Sequence, residues 1–167
     1  MIRITLKTPQ TILDEAAQFD LPAHELRITQ EDGLTFIDLI TSAGRPAGGM
    51  TISKGFMGDN IWNVTGVTAP KGFGPVLYEV AIEFAQKNGG LGLTPDLVSV
   101  SADAQKIWQH YLSVRKMDIE TLPLPKTARF ITPRPDELKK VFRLRNPGYI
   151  QKLLAAGKID DPQELLS

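Results

Sequence analysis

Apolar positions along the chain fall into short alternating runs and two longer runs of helical period. Leu34–Thr41 (LTFIDLIT) predicts a strand, Ser42-Ala43-Gly44-Arg45-Pro46 is turn chemistry, and Gly48–Ser53 (GGMTIS) predicts the returning strand of a β-hairpin. After a second turn over Gly55–Asn60, Ile61–Thr68 (IWNVTGVT) predicts a third strand, with Gly66 marking a bulge. The pattern then changes period. Val76, Leu77, Val80, Ala81, Phe84 and Ala85 recur at helical spacing, giving an amphipathic helix that Asn88-Gly89-Gly90 ends. Leu97–Ser101 (LVSVS) predicts a short buried strand. Ser101-Ala102-Asp103 opens a second helix reaching to about Val114, with Ala104, Ile107, Trp108, Tyr111 and Leu112 on its apolar side.

The two ends of the chain are less regular. Met1–Leu6 alternates weakly as a short strand, and Thr8 with Pro9 starts a helix with Ile12, Ala16, Ala17 and Phe19 on one face, closed by Pro22. Asp118–Leu124 and Arg129–Thr132 are extended segments cut by prolines, and Asp136–Gly157 predicts two short helices separated by Asn146-Pro147-Gly148. This order of elements defines a mixed α/β domain built on one sheet.

Composition narrows the chemistry. A chain of 167 residues is long enough for one ordinary domain with a real core. It contains no cysteine, which excludes disulfides, thiolate zinc sites and a cysteine nucleophile. Its two histidines, His24 and His110, lie far apart, so no metal centre is expected. No apolar leader and no membrane-length apolar run is visible, so a cytoplasmic protein without membrane contact is expected. Net charge is zero but unevenly spread. Between 115 and 158 the chain carries Arg115, Lys116, Lys126, Arg129, Arg134, Lys139, Lys140, Arg143, Arg145, Lys152 and Lys158, against Asp118, Glu120, Asp136 and Glu137. Such a segment suits a solvated surface, or contact with nucleic acid or an anionic cofactor.

The candidate chemistry lies where the strand Ile61–Thr68 turns through Pro70-Lys71-Gly72-Phe73-Gly74-Pro75 into a helix. The first N–H groups of a helix have no intrahelical partners and sit at the positive end of its dipole, so such a junction can seat a phosphate. Glycine lets the backbone approach the ligand, and Lys71 adds a charge.

Together with the strand and helix that follow, this stretch resembles the GNAT superfamily of acyl-CoA-dependent N-acyltransferases, over about residues 30–125. The family pattern Gln/Arg-x-x-Gly-x-Gly/Ala corresponds to Ala69-Pro70-Lys71-Gly72-Phe73-Gly74, with Ala69 in place of the Gln or Arg. The family's Asn-x-x-Ala-x-x-Leu-Tyr corresponds to Ser101, Ala104, Ile107 and Trp108. The chain is also similar to short GNAT-like proteins of bacteriophages, in which Gly-Phe/Tyr-Gly-Pro opens the helix and a Trp–Tyr pair sits in the next one.

The resemblance implies a mainly antiparallel mixed sheet with one splayed parallel strand pair, flanked by helices. It places the acyltransferase domain at 1–132 and a helical C-terminal extension packed on it at 133–167. It implies acetyl-CoA or another acyl-CoA as cofactor, held by Val67, Thr68, Lys71, Gly72, Phe73, Gly74, Ser101, Ala104 and Trp108. A backbone N–H near Val67 would polarise the thioester, and an amine would attack directly. Tyr111 is the candidate acid and His110 the candidate base, with Asp38 behind it, since the strand 61–68 carries no Asp or Glu. The acceptor is an amine of unspecified identity, and an oligomer is compatible with the sequence. Two other readings stand beside this one. One is a GNAT-like protein-binding module without catalysis. The other is a nucleic-acid-directed modifying enzyme using the basic segment 115–158.

Overall fold

The structure is a computed structural model and describes residues 25–40, 44–54, 60–69, 74–113, 115–125 and 135–148. The strand predicted at Met1–Leu6, the helix after Thr8 and the extended segment Arg129–Thr132 lie outside the described residues.

Seven strands form one sheet: β1 (Glu25–Glu31), β2 (Leu34–Ile40), β3 (Pro46–Ser53), β4 (Ile61–Thr68), β5 (Gly92–Thr94), β6 (Ile119–Pro123) and β7 (Lys140–Leu144). Two helices, α1 (Gly74–Lys87) and α2 (Ala102–Ser113), accompany them among the described residues. The strand order is β1-β2-β3-β4-β5-β7-β6. Every pairing is antiparallel except β4–β5, so the mixed α/β sheet with a single parallel pair is as expected.

β1 adds to the predicted elements. It joins β2 through Asp32-Gly33, both at positive φ (51° and 80°). A two-residue loop with that backbone matches the twist of the flanking strands, and glycine reaches the conformation without a Cβ clash. Between β3 and β4 the pairing runs Thr51–Gly66 and then Ile52–Val64, leaving Thr65 as the extra residue of a bulge beside Gly66. Thr65 secures it by donating its hydroxyl to the Thr51 carbonyl at 3.1 Å.

Paired positions place one apolar stripe across the sheet: Leu26 against Leu39, Ile37 against Met50, Ile52 against Val64, Trp62 against Leu93 and Leu93 against Phe142. α1 meets this face edge-on through Phe84 and Trp62, 6.0 Å between ring centroids. α2 meets it through Trp108, 4.6 Å from Phe142. The ordered core therefore lies between this stripe and the two helices.

Three expectations need correction. The predicted strand Leu97–Ser101 is not one, because Oδ1 of Asp96 accepts the N–H groups of Val98 (2.8 Å) and Ser99 (3.4 Å) and turns the backbone there. The strand is instead Gly92–Thr94. The helical tail expected from Asp136 makes a single 3-10 turn (Asp136–Leu138) and then becomes β7, while residues 149–167 lie outside the described residues. β7 runs between β5 and β6 in the sheet. Third, α1 is not a one-sided amphipathic helix. It is buried from Val76 to Ala85, including Glu79 and Glu83.

Candidate active site at the end of β4

β4 pairs with β3 along most of its length but with β5 only at Ile61–Gly92, Trp62–Leu93 and Asn63–Thr94. Beyond Asn63 the two parallel strands part. Pro95 and the Asp96 turn carry one chain away, and no strand among the described residues pairs with that side of Val64–Thr68. The C-terminal half of β4 thus keeps backbone donors and acceptors with no ladder partner on one side, groups that require another partner wherever water is excluded.

Both helix starts belong to the neighbourhood. α1 begins at Gly74, where an added Cβ would stand 3.4 Å from Cδ1 of Ile107, so α2 lies close against the first turn of α1. α2 is capped by Ser101, whose hydroxyl oxygen accepts the Ala104 N–H at 3.1 Å and whose carbonyl accepts the Gln105 N–H at 2.9 Å. Of the residues expected to hold a cofactor, Val67 is half-buried, Thr68 and Ser101 are exposed, and Ala104 is buried. Gly74 meets α2 through Ile107. Lys71, Gly72 and Phe73 lie outside the described residues.

The other candidates lie deeper. Trp108 is 1% exposed, edge-on to Tyr78 at 5.1 Å and tilted on Phe142. Tyr111 is 2% exposed, 6.0 Å from the Trp108 ring. His110 is half-buried on the last turn of α2, its ring 6.5 Å from that of Tyr111. Burial raises the Tyr78 phenol far above its usual range, and Asp96 adds to the effect.

A feature missed at the level of sequence underlies this cluster. Arg115, just past α2, is 2% exposed and pairs with Glu79 of α1 at 2.5 Å, with Glu79 at 0% exposure. Its Nε also reaches Asp118 at 2.8 Å, and its guanidinium lies 5.8 Å from the Tyr111 ring centre. Burial raises the Glu79 carboxyl above its ordinary value, while the Arg115 guanidinium opposes that shift. Glu79 and Arg115 are 36 residues apart, so no local pattern announces the pair.

The basic segment is also partly engaged. Arg143 and Arg145 both reach Glu120 at 3.2 Å, and Lys139 reaches Asp136 at 3.3 Å. Lys126, Arg129, Arg134, Lys152 and Lys158 lie outside the described residues. No helix among the described residues is long and apolar enough to cross a membrane.

The fold class that emerges is an α/β protein with a mixed seven-stranded sheet. Comparison with protein-family models, with curated proteins and with solved structures finds no match.

Proposed function

We propose that the chain is an N-acyltransferase of the GNAT type, moving an acetyl or other acyl group from acyl-CoA to a primary amine by direct attack. The observation that carries this reading is the separation of β4 from its parallel partner β5 after three paired residues, beside the start of α1. The unpaired side of Val64–Thr68 suits an extended amide-bearing chain, and the first turn of α1 suits a pyrophosphate.

In this reading Lys71–Gly74 and the first amides of α1 hold the pyrophosphate. Ser101 and Ala104, at the start of α2, line the other side of the opening. A backbone N–H near Val67 would donate to the thioester carbonyl oxygen; as the new C–N bond forms the C–S bond would break, the amine losing one proton and CoA leaving as the thiol. The bound acyl-CoA supplies the activated acyl group. The chain itself supplies orientation and charge stabilisation, and needs no nucleophile of its own.

The test is calorimetric titration with acetyl-CoA and with CoA, repeated on Gly72→Glu. Micromolar binding to the wild type and its loss in the variant are expected, because a carboxylate side chain would fill and repel the phosphate seat. Absence of binding to the wild type would sink the reading.

One observation favours a second reading, a GNAT-like binding module without catalysis. Trp108 and Tyr111, on the helix where an acid is expected, are enclosed in the core. A module of that kind leaves acetyl-CoA intact in the presence of any amine and co-purifies with a protein.

A further inference from the structure

We infer that Arg115 is a positioning residue: by holding Glu79 it fixes how far the start of α2 projects past the start of α1, and so sets the opening that receives the phosphate-bearing arm of acyl-CoA. This rests on the acyltransferase reading and adds to that site a residue outside the turn and helix starts that form it.

Three contacts define how the two helices lie. An added Cβ on Gly74 would stand 3.4 Å from Cδ1 of Ile107. The Tyr78 and Trp108 rings meet at right angles, their centroids 5.1 Å apart. Glu79 pairs with Arg115. Residue numbers rise together along both partners, so α1 and α2 run in the same direction. Ile107, in the middle of α2, already lies against the first residue of α1. Residues 102–106 therefore project past Gly74, at the end of α1 where the acyltransferase reading seats the pyrophosphate. Any slide of α2 along α1 widens or narrows that end.

The contacts differ in how firmly they resist a slide. Ile107 rests on a glycine, which offers no side chain to lock against, and the ring pair is apolar. The ion pair is directional: Nη1 of Arg115 donates to Oε1 of Glu79 at 2.5 Å, with both side chains buried. Apolar residues in place of such a pair cost little stability, so what the two charges add is one preferred register.

Arg115 is itself held to the sheet. Its Nε donates to Asp118 at 2.8 Å, and its carbonyl accepts the N–H groups of Asp118 at 3.0 Å and Ile119 at 2.8 Å. Ile119 opens β6 and pairs with Leu144 of β7. The Arg115 N–H returns to the His110 carbonyl, on the last turn of α2, at 3.2 Å. One residue thus ties α1 to the end of α2 and to the sheet. About 7.5 Å of helix separates Glu79 from Gly74, so the tie acts close to the start of α1. Lysine could not replace it. Its single nitrogen would have to reach Glu79 and Asp118 together, which Arg115 does with two separate nitrogens.

The chain has no cysteine, so spin labels can be attached at Lys87→Cys and Lys106→Cys, exposed positions on α1 and α2. Pulsed electron paramagnetic resonance reads their separation, and calorimetry reads acetyl-CoA affinity in the same proteins. The labelled chain is compared with Arg115→Lys, with Arg115→Met plus Glu79→Leu, with Asp118→Asn and, as control, with Glu31→Gln at the β1–β2 hairpin. Melting curves establish which are folded. Asp118 is partly exposed, so its variant keeps the comparison available if a buried one fails to fold. Folded variants of the tie should shift or broaden the distance by about 1–2 Å, the scale of helix slides, and weaken acetyl-CoA binding about tenfold. The double variant should do so while melting close to the labelled chain. Asp118→Asn should act in the same direction, and Glu31→Gln should change neither quantity. A purely structural role would leave distance and affinity unchanged in the folded variants, and that result would overturn the inference. So would weaker binding at an unchanged distance, or a changed distance with affinity kept. A labelled chain that does not bind acetyl-CoA would overturn the cofactor reading, while the distance would still decide whether Arg115 holds α2 in place.

Discussion

Arg115 carries a full charge at 2% exposure, and the cost of that position is met by Glu79 and Asp118. Taking two ions out of water is expensive, and their attraction repays it only while both are present. Arg115→Met is therefore expected to destabilise the protein by about 3–5 kcal/mol in urea unfolding, because it strands the Glu79 carboxylate. Arg115→Met combined with Glu79→Leu should recover most of that loss, since neither charge is then buried. If the double variant were as unstable as the sum of the two single ones, the two charges would not be coupled. Asp38 gives the opposite sign. Burial raises its folded pKa above the ordinary carboxylate value, so the folded state binds the proton more tightly than the unfolded state. Stability contributed here is lost as pH rises from the ordinary carboxylate value through the raised one. Asp38→Asn should then melt higher than wild type near neutral pH, with the advantage vanishing in acid.

At the scale of elements, capping is the simplest quantity to check. Ser101→Ala removes the side-chain acceptor for the Ala104 N–H and should cost about 1 kcal/mol, measured by thermal or denaturant unfolding. An unchanged stability would mean that water replaces the cap in full. This helix start, like β2, β4 and α1, was readable in the chain, because each joins a clear period to recognisable turn or cap residues. β1 carried an equally clear signal in Asp32-Gly33 that the alternation around it did not bring out. β5 and β7 were hidden for different reasons. LVSVS has the stronger strand composition, but the Asp96 carboxylate captures the N–H groups that a ladder would need. In β7, Val141 and Phe142 are both buried, as befits a strand flanked on both sides, so the alternation that marks half-buried strands is missing. The site divides in the same way. Its turn and helix starts could be named from local sequence, whereas the Arg115–Glu79 pair exists only through a contact between distant segments.

For the whole molecule, the position of β7 governs what can be removed. β7 pairs with β6 from Lys140 to Leu144 and touches β5 at Leu93–Phe142, and Phe142 is fully buried beneath Trp108. A chain ending at residue 132 would lose that strand, bare an edge of both neighbours and open a hole under α2. It is expected to lose cooperative thermal unfolding and the protease resistance of the full chain. A truncated chain with an intact cooperative transition would show that β7 is dispensable.

The same strand order sets a clock on synthesis. β5 and β6 leave the ribosome well before the residues that will lie between them, so one end of the sheet waits with its edges unpaired until Lys140–Leu144 emerge. Pairings between distant segments form slowly, and exposed strand edges invite association with other chains. The nascent protein is most vulnerable to aggregation in that interval, and its yield in cells should respond to chaperone supply more sharply than the stability of the finished fold would suggest.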